Sequence, residues 1–368
     1  MLNSTRVFFR QLEALRGIAA LIVVIYHVGW SNPLYNIGII RNGALMVDVF
    51  FVLSGFVMMH CYGEYFVKKD SIIIFMKSRF WRLYPLHLLM LGVFLLIEIA
   101  KYVAEFKFGI QSGSPAFSKS NSESFFYQIF LLHSLFQDHG SFNSPSWSIS
   151  TEFYTYIFFA LLMTFIHKIK QRYIIFICIS AISLFTILSL GHKSLTFDYQ
   201  DSIFRCLYGF FIGAFTYEVY KLILKRVQEL HYKKSKFIFL TITLISLAYI
   251  LAIKHDNYLE FLVPPLIGLF ILLIILSPNN IINKALCLPV FLWLGKISYS
   301  IYMIHLAFIW FFSALMQVLM KAPKIEVENG DFVISISQFQ GGTMIIVLLS
   351  SILFVSHFTY KYIEVKFR

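Results

Sequence analysis

Arg16 and His27 are ionisable residues within one apolar segment of the chain. Ionisable side chains are costly inside a membrane, so each one found there is a candidate for function. On a helix, their spacing places them within about 20° of one face and about 16 Å apart. A guanidinium group can hold a phosphate and an imidazole can accept a proton. The spacing predicts a face with a phosphate-binding end and a basic end, separated by about the length of an extended pantetheine arm. The alternative is that Arg16 reaches lipid headgroups and His27 makes a helix contact.

Three further ionisable residues, Asp48, Glu152 and His305, fall in other apolar segments, at about the depth of His27. A carboxylate beside an imidazole fixes the tautomer of the ring and raises its basicity. We therefore expect Asp48 to orient His27 as a catalytic base, unless its carboxylate only makes a structural hydrogen bond between helices. Glu152 and His305 are expected on the same side, either at the acceptor or in helix packing.

Arg79 and Arg82 lie at the start of another apolar segment. Residues three apart on a helix are neighbours, which predicts that both side chains reach one surface. Paired guanidinium groups suit polyphosphate recognition, because each can form bidentate hydrogen bonds. With Arg16 they are predicted to form a cationic layer, separate from the layer of acid and base groups around His27. The alternative is that the pair only anchors the helix end at the membrane surface.

Two aromatic residues, Trp147 and Tyr299, precede Glu152 and His305 along the chain. A tryptophan at this position is typical of a membrane-interface belt, and it could also be a stacking platform for a sugar. Tyr299 is expected on the acceptor side or in a structural role.

These groups can act together only if apolar segments bring them into one bundle. The 368-residue chain is 58% hydrophobic and 14% charged, against about 25% charged in soluble domains, and its mean hydropathy is +0.74. A membrane-spanning helix needs about 20 mostly apolar residues. The pattern predicts an all-α polytopic transmembrane helix bundle of about ten helices, forming a single domain over 1–368. The segments are roughly 12–29, 43–60, 84–103, 148–166, 173–190, 203–220, 237–253, 259–276, 290–312 and 341–360.

The distribution of Lys and Arg predicts the orientation of the bundle. With a cytoplasmic N-terminus, 20 basic residues fall on the cytoplasmic side and 8 on the external side, as the positive-inside rule requires. We therefore expect both termini in the cytoplasm and an external loop over about 104–147. The cytoplasmic set is Arg6, Arg10, Lys68, Lys69, Lys77, Arg79, Arg82, Lys168, Lys170, Arg172, Lys221, Lys225, Arg226, Lys233, Lys234, Lys236, Lys284, Lys361, Lys366 and Arg368; the external set is Arg41, Lys101, Lys107, Lys119, Lys193, Lys254, Lys321 and Lys324.

The external loop divides by composition into two halves. Its first half is rich in serine, which predicts a flexible, solvated stretch. Residues 125–136 are apolar but too short to cross a membrane. They predict a short interfacial helix or lid, or only a surface anchor.

Other classes of protein are disfavoured by charge and cysteine content. The net charge of +12 fits basic loops that face anionic lipid, so nucleic-acid binding is not expected. The four cysteines have no metal-ligand spacing, and we expect neither a metal site nor a disulfide. No small-x-small cleavage site follows the first apolar segment, which predicts an uncleaved first helix.

Five motifs, in this order, resemble the acyltransferase 3 family of bacterial membrane O-acyltransferases. The resemblance extends over nearly the whole chain. The motifs are Leu12–Ala20 followed by Tyr26 and His27, the segment Val47–Phe56, the pair Arg79 and Arg82, the run Trp147–Glu152, and the run Ser298–His305.

This resemblance implies a cytoplasmic acyl-CoA donor as co-substrate, no bound cofactor, and a carbohydrate or lipid-linked glycan acceptor at the outer face of the bacterial cytoplasmic (inner) membrane. It implies catalysis by His27 and donor binding by Arg16, Arg79 and Arg82. One departure is that no proline closely follows Glu364. Some members carry an added extracytoplasmic hydrolase-like domain; this chain is expected to act on its acceptor directly.

The resulting expectation is transfer of an acyl group, foremost acetyl, to a carbohydrate hydroxyl. Transfer of succinyl or another acyl group to a lipid-linked intermediate is one alternative. A transporter or export channel, with the same polar residues lining a pathway, is another. Transporters often show repeat symmetry or broken helices, and the sequence shows neither. No oligomeric state follows from the sequence.

Overall fold

The computed structural model describes residues 9–66, 71–109, 114–226, 233–252, 257–277, 279–326 and 332–367, without the side chains of 225–239. The architecture is nearly all-α, as predicted. Of the basic residues used to predict the orientation, Arg6, Lys68, Lys69, Lys254 and Arg368 lie outside the described residues.

The helices are α1 (Arg10–Tyr26), α2 (Gly38–Arg41), α3 (Met46–Tyr62), α4 (Ser71–Phe108), α5 (Ser122–Ile129), α6 (His133–Phe136), α7 (Trp147–Ile166), α8 (Arg172–Ser189), α9 (Ser202–Arg226), α10 (Lys233–Ala252), α11 (Val263–Ile275), α12 (Ile281–Leu286), α13 (Pro289–Leu319), α14 (Gln338–Thr359) and α15 (Val365–Phe367). Short 3₁₀ turns lead into α3, α7 and α11, and a π-helical turn, Tyr360–Glu364, joins α14 to α15. The strands β1 (Lys324–Glu326) and β2 (Phe332–Ile334) form one antiparallel hairpin.

Eight helical stretches within the described residues are long and apolar enough to cross a membrane. They correspond to eight of the ten predicted segments. The other two segments contain shorter helices, since α1 has 17 residues and the apolar part of α10 is confined to Leu240–Ala252. The count of ten therefore stays a prediction.

The third span begins earlier than predicted. The apolar pattern suggested a start near residue 84, next to Pro85, whereas α4 begins at Ser71 and runs through Pro85 to Phe108. Arg79 and Arg82 consequently lie well inside this helix and not at its start. A proline is tolerated in a membrane helix when neighbouring groups satisfy the freed backbone atoms.

Glycines bring the backbones of the central helices into direct contact. A Cβ added to Gly295 of α13 would lie 2.1 Å from the carbonyl oxygen of Glu13 in α1. A Cβ added to Gly55 of α3 would lie 1.8 Å from the carbonyl oxygen of Phe210 in α9. Small residues of this kind allow close helix packing in membranes. These contacts fix α1 against α13 and α3 against α9, the two helix pairs that carry most of the candidate site.

The predicted external loop is largely folded. Residues 125–136, expected as one short helix or lid, form parts of the two short helices α5 and α6. The serine-rich part is less solvated than predicted, because Ser120 and Ser124 are buried. Gln128 of α5 is also buried and donates to the carbonyl of Ser141 at 3.0 Å. The backbone carbonyl of Gln128 also lies 2.9 Å from Nε2 of His87 in α4, so the segment packs onto the bundle through polar contacts.

Candidate active site

Two cavities share Tyr302 in their lining. The first, here called the arginine cavity, has a volume of about 70 Å³ and is lined by Arg16, Arg82, Glu152 and aromatic residues. The second, here called the histidine basin, is more open, with a volume of about 510 Å³, and contains His27. The two residues that the sequence singled out in the first apolar segment, Arg16 in α1 and His27 directly after it, thus lie in separate compartments.

His27 forms a pair with His305 of α13. The Nδ1 atom of His27 lies 2.9 Å from the carbonyl oxygen of Val23, and Nδ1 of His305 lies 2.6 Å from that of Tyr302. A carbonyl oxygen only accepts, so each Nδ1 carries the proton in a neutral ring. Nε2 of His305, 3.3 Å from Nδ1 of His27, then accepts from the same N–H.

The pairing fixes the tautomer of His27. With its proton held on Nδ1, the lone pair of a neutral ring is on Nε2. That nitrogen has no hydrogen-bond partner among the described residues, and His27 lines the basin. The geometry suits a base that removes a proton from a group bound there.

Asp48 does not orient His27, contrary to the prediction. Its carboxylate is fully buried and accepts from Nε of Arg205 at 3.1 Å and from a terminal nitrogen of Arg205 at 2.8 Å. Arg205 also donates to the carbonyl oxygens of Ala44 and Phe197. A buried charge needs a partner, and Arg205 of α9 meets that need. His27 is instead held at Nδ1 by the Val23 carbonyl and by His305.

The arginine cavity contains two guanidinium groups with few protein partners. Arg82 has no hydrogen bond or ion pair within the described part of the chain. The nearest acidic atom to Arg16 belongs to Glu13, at the long distance of 4.0 Å. Guanidinium groups that face one space with unused donors can bind a phosphate bidentately.

Arg79 is not part of this lining, although the sequence grouped it with Arg82. It is buried, and one terminal nitrogen donates to the hydroxyls of Tyr62 and Ser78 at 3.1 and 3.0 Å. Residues three apart on a helix still differ by about 60° in direction. That rotation directs Arg79 towards Tyr62 of α3, while Arg82 faces the cavity.

Glu152 lies in the arginine cavity and not at the level of His27. It is five residues into α7 from Trp147, which carries it about 7 Å along the helix axis. The hydroxyl of Tyr156 donates to its carboxylate at 2.5 Å and is 2.7 Å from Ser54 Oγ. The predicted separation into a cationic and an acid–base layer is therefore wrong for this residue.

Trp147 and Tyr299 line different cavities. Trp147 faces the histidine basin, but it is buried, with the guanidinium of Arg205 5.3 Å from its ring centre. It is not an exposed belt residue. Tyr299 lines the arginine cavity and donates to the carbonyl of Leu83 at 2.6 Å, which fits the structural role among the two that were predicted for it.

Sequence reasoning missed Tyr302, Asp198 and Arg205. Tyr302 is the one residue lining both cavities among those described. It belongs to the Ser298–His305 motif and precedes His305 by three residues. On a helix this spacing makes the two residues neighbours, which was a usable signal. Asp198 lines the basin but sits in a loop, where a lone carboxylate carries no signal.

In the described residues, no group of three or more His, Cys, Asp or Glu side chains could hold a metal ion.

Comparisons with known proteins identify the family of the chain. The model of a family described as acyltransferase domain matches residues 9–356. A Staphylococcus aureus protein named "Putative O-acetyltransferase" is 27% identical over 318 residues, covering 82% of this chain and 50% of that protein. An Acidianus two-tailed virus protein named "Putative acetyltransferase" is 27% identical over 309 residues, covering 80% and 82%. Acyltransferase MdmB of Streptomyces mycarofaciens is 30% identical over 174 residues, covering 44% and 41%. No solved structure matches the chain significantly.

The matched region contains every candidate residue named above, from Arg16 to His305. The chain spans about half the length of the Staphylococcus aureus relative. The family match covers nearly all of the chain and confirms the resemblance inferred from the five motifs, so this chain belongs to the acyltransferase 3 family.

Proposed function

We propose that the protein is a membrane O-acyltransferase that moves an acetyl group from cytoplasmic acyl-CoA to a hydroxyl of a carbohydrate. The observation that carries the proposal is the pair of compartments that share Tyr302, one with guanidinium groups that make few contacts within the described residues and one with a tautomer-fixed imidazole. The names of the relatives, which include O-acetyltransferase and acyltransferase, support the class of reaction.

The arginine cavity is the proposed binding site for the phosphate-bearing donor. Arg16 and Arg82 supply the guanidinium donors, and neither must break a short ion pair to bind phosphate. Glu152 limits the positive charge of the cavity, and its carboxylate is held by Tyr156. The thioester end of the pantetheine arm would then extend towards the histidine basin.

In the proposed reaction, His27 is the general base. Its Nε2 takes the proton from the acceptor hydroxyl as the oxygen attacks the thioester carbon. His305 is a positioning residue that accepts from Nδ1–H of His27 and so keeps the reactive lone pair on Nε2. A base positioned in this way contributes about 10²–10⁴ in rate.

The composition of the histidine basin supports a carbohydrate as acceptor. The basin combines aromatic side chains, Tyr26, Tyr35 and Trp147, with the charged groups of Arg41 and Asp198. Aromatic faces suit the C–H surface of a sugar ring, and charged groups form strong hydrogen bonds to its hydroxyls. A lipid-linked glycan would present the same hydroxyls.

The proposed setting is the bacterial inner membrane, with ten spans and both termini in the cytoplasm. α1 and α10 would complete the eight longer spans, and the basic residues favour this orientation. Under it, the His27 end of α1 faces outward and Arg16 lies nearer to the cytoplasm, which matches a cytosolic donor and an exported acceptor.

The test is acyl transfer by the purified protein in lipid nanodiscs. Acetyl-CoA labelled in the acetyl group is supplied with surface polysaccharide from the producing cell, and alkali-labile label on the polysaccharide is measured against empty nanodiscs. We expect label in ester linkage. Transfer from succinyl-CoA but not from acetyl-CoA would contradict the acyl group proposed. Passage of carbohydrate across vesicles without any ester would indicate a transporter and contradict the enzyme.

A further inference from the structure

Tyr302 of α13 stands between the two cavities. Its hydroxyl donates to the carbonyl oxygen of Pro145 at 2.9 Å and is 2.8 Å from Ser148 Oγ. Pro145 lines the histidine basin, whereas Ser148 lines the arginine cavity. The hydroxyl therefore contacts one wall residue of each compartment and lies where their contents would meet.

The Pro145 carbonyl has two possible hydroxyl donors. Ser148 Oγ is 3.2 Å from the same oxygen and can donate to it. If Ser148 holds the carbonyl, the proton of Tyr302 is available to a ligand and no buried carbonyl is left unpaired. An unpaired buried carbonyl would cost free energy, so this second donor lowers the cost of redirecting the tyrosine.

The neighbours of Tyr302 connect it to the proposed base. Its backbone carbonyl accepts from Nδ1 of His305, which in turn contacts His27. The ring of Phe50 packs against the tyrosine ring at a centroid distance of 5.7 Å. A short series of contacts thus connects the Tyr302 hydroxyl to the imidazole pair.

We propose that the Tyr302 hydroxyl donates a hydrogen bond to the carbonyl oxygen of the acyl thioester and stabilises the oxyanion that forms during transfer. This assignment rests on the proposed function and adds a catalytic residue to it. Ser148 is the positioning residue that holds the Pro145 carbonyl while Tyr302 turns to the substrate.

The chemistry balances without a further reactant. The acceptor oxygen forms a bond to the thioester carbon while His27 takes its proton, and the carbonyl π electrons move to the oxygen held by Tyr302. Collapse of this tetrahedral adduct restores the C=O bond and breaks the C–S bond. The thiolate of CoA takes the proton from the imidazolium, which leaves an ester and free CoA.

The test compares Tyr302→Phe with Tyr208→Phe. Tyr208 of α9 is buried and donates to the carbonyl of Phe261 at 2.6 Å, but it lines neither cavity. It therefore reports the structural cost of losing one tyrosine–carbonyl hydrogen bond. Loss of one oxyanion donor costs about 10²–10³ in kcat. We expect that loss in Tyr302→Phe, with acetyl-CoA affinity and melting temperature like those of Tyr208→Phe.

A second comparison separates catalysis from folding. Difluorotyrosine at position 302 keeps the hydroxyl and should retain most of the activity. Ser148→Ala should lose about tenfold in kcat, because Tyr302 is then needed at Pro145. The double variant Ser148→Ala/Tyr302→Phe should be no slower than Tyr302→Phe alone. Ser148 acts only by releasing the Tyr302 hydroxyl, so the two effects are not additive.

The outcomes distinguish this assignment from the proposed function. A wild-type protein that transfers no acyl group from any acyl-CoA would contradict the proposed function itself. An active wild type with an equally active Tyr302→Phe variant would overturn only the assignment of Tyr302. A kcat loss matched by an equal loss in donor affinity, or by the same loss in Tyr208→Phe, would also overturn it.

Discussion

Arg79 and Arg82 show how two residues of one motif can differ in role. Arg79 is held by the hydroxyls of Tyr62 and Ser78, while Arg82 faces the arginine cavity with no hydrogen bond or ion pair to the described residues. A ligand gains most from a donor that is not already satisfied. Donor binding should therefore depend on Arg82 and only weakly on Arg79.

Arg82→Ala should weaken acetyl-CoA binding by about 10- to 100-fold, in line with about 1.5–3 kcal/mol for a hydrogen bond to a charged group. Arg82→Lys should recover part of the loss, because the charge remains but the planar fork does not. Arg79→Ala, the matched control, should lower the melting temperature and change affinity several-fold less. Calorimetric titration with acetyl-CoA at two salt concentrations measures the affinity of each variant. Equal affinity losses in the two alanine variants would contradict the division of roles.

His305 should act through His27 and not on substrate directly. His305→Leu removes one of the two acceptors for Nδ1–H of His27 and leaves only the Val23 carbonyl, so we expect kcat to fall about tenfold, a part of the roughly 10²–10⁴ of a general base. His305→Gln keeps an acceptor and should recover most of the rate. The donor KM should change little in either variant. If His305→Gln is as slow as His305→Leu, the positioning role is wrong.

The sequence could single out candidate residues but not their partners. Arg16, His27 and Arg82 could be singled out because ionisable groups in apolar segments are costly. The partner of His27 is 278 positions away and that of Asp48 is 157 positions away. Such pairs depend on which helices pack together, and a periodic pattern does not contain that information. Asp48 was therefore assigned to the nearest plausible imidazole and not to Arg205.

At the scale of elements, the contact between α1 and α13 holds the histidine pair. His27 follows the last residue of α1, and His305 lies within α13. The backbones of these helices meet at Gly17 and Gly295, where an added Cβ would strike backbone atoms of the other helix. This contact fixes the separation on which the 3.3 Å distance between the two rings depends.

Gly295→Ala should therefore destabilise the protein and lower transfer activity. The added carbon would lie 2.1 Å from a backbone oxygen of α1, so the helices must move apart. Gly92→Ala on α4 is the control, because nothing lies within 4 Å of its Cβ position and alanine favours the helix by roughly 0.5–1 kcal/mol. Melting in detergent, followed by size-exclusion chromatography, measures the stability of the two variants. Acetyl transfer in nanodiscs measures their activity. Similar melting temperatures for the two variants would show that the contact is not tight.

The elements themselves were predictable where the apolar pattern was long. Eight predicted segments contain helices able to span a membrane, because about 20 apolar residues leave little choice of structure. Helix ends were less predictable, as α4 shows by continuing through Pro85. The buried hydrogen bonds of Gln128 and Ser124 in α5 were also missed, since a serine-rich composition indicates solvation on average.

For the whole molecule, the orientation in the membrane decides which cavity faces the donor. The proposed orientation places the segment with α5 and α6 outside. An engineered thiol must be exposed to report this, and Ser120 is unsuitable because it is buried and accepts from the Phe142 amide at 2.9 Å. Ser122 and Lys170 are exposed and lie on opposite predicted sides.

In a variant without the four native cysteines, Ser122→Cys should react with an impermeant thiol reagent in cells with a permeabilised outer membrane. Lys170→Cys should react only after the inner membrane is lysed. The positive-inside rule is the physical reason for both expectations. Mass-tag gels of the labelled protein record the result. Labelling of Lys170→Cys in intact cells, with Ser122→Cys protected, would invert the proposed orientation.

The central claim is that His27 removes the acceptor proton for a donor held in the arginine cavity. The most direct measurement is single-turnover acetyl transfer and acetyl-CoA affinity on one preparation of His27→Ala in nanodiscs. The account predicts that transfer falls by about 10²–10⁴, while donor affinity and melting temperature stay near those of the wild type. Near-normal transfer by a stably folded His27→Ala protein would contradict the account.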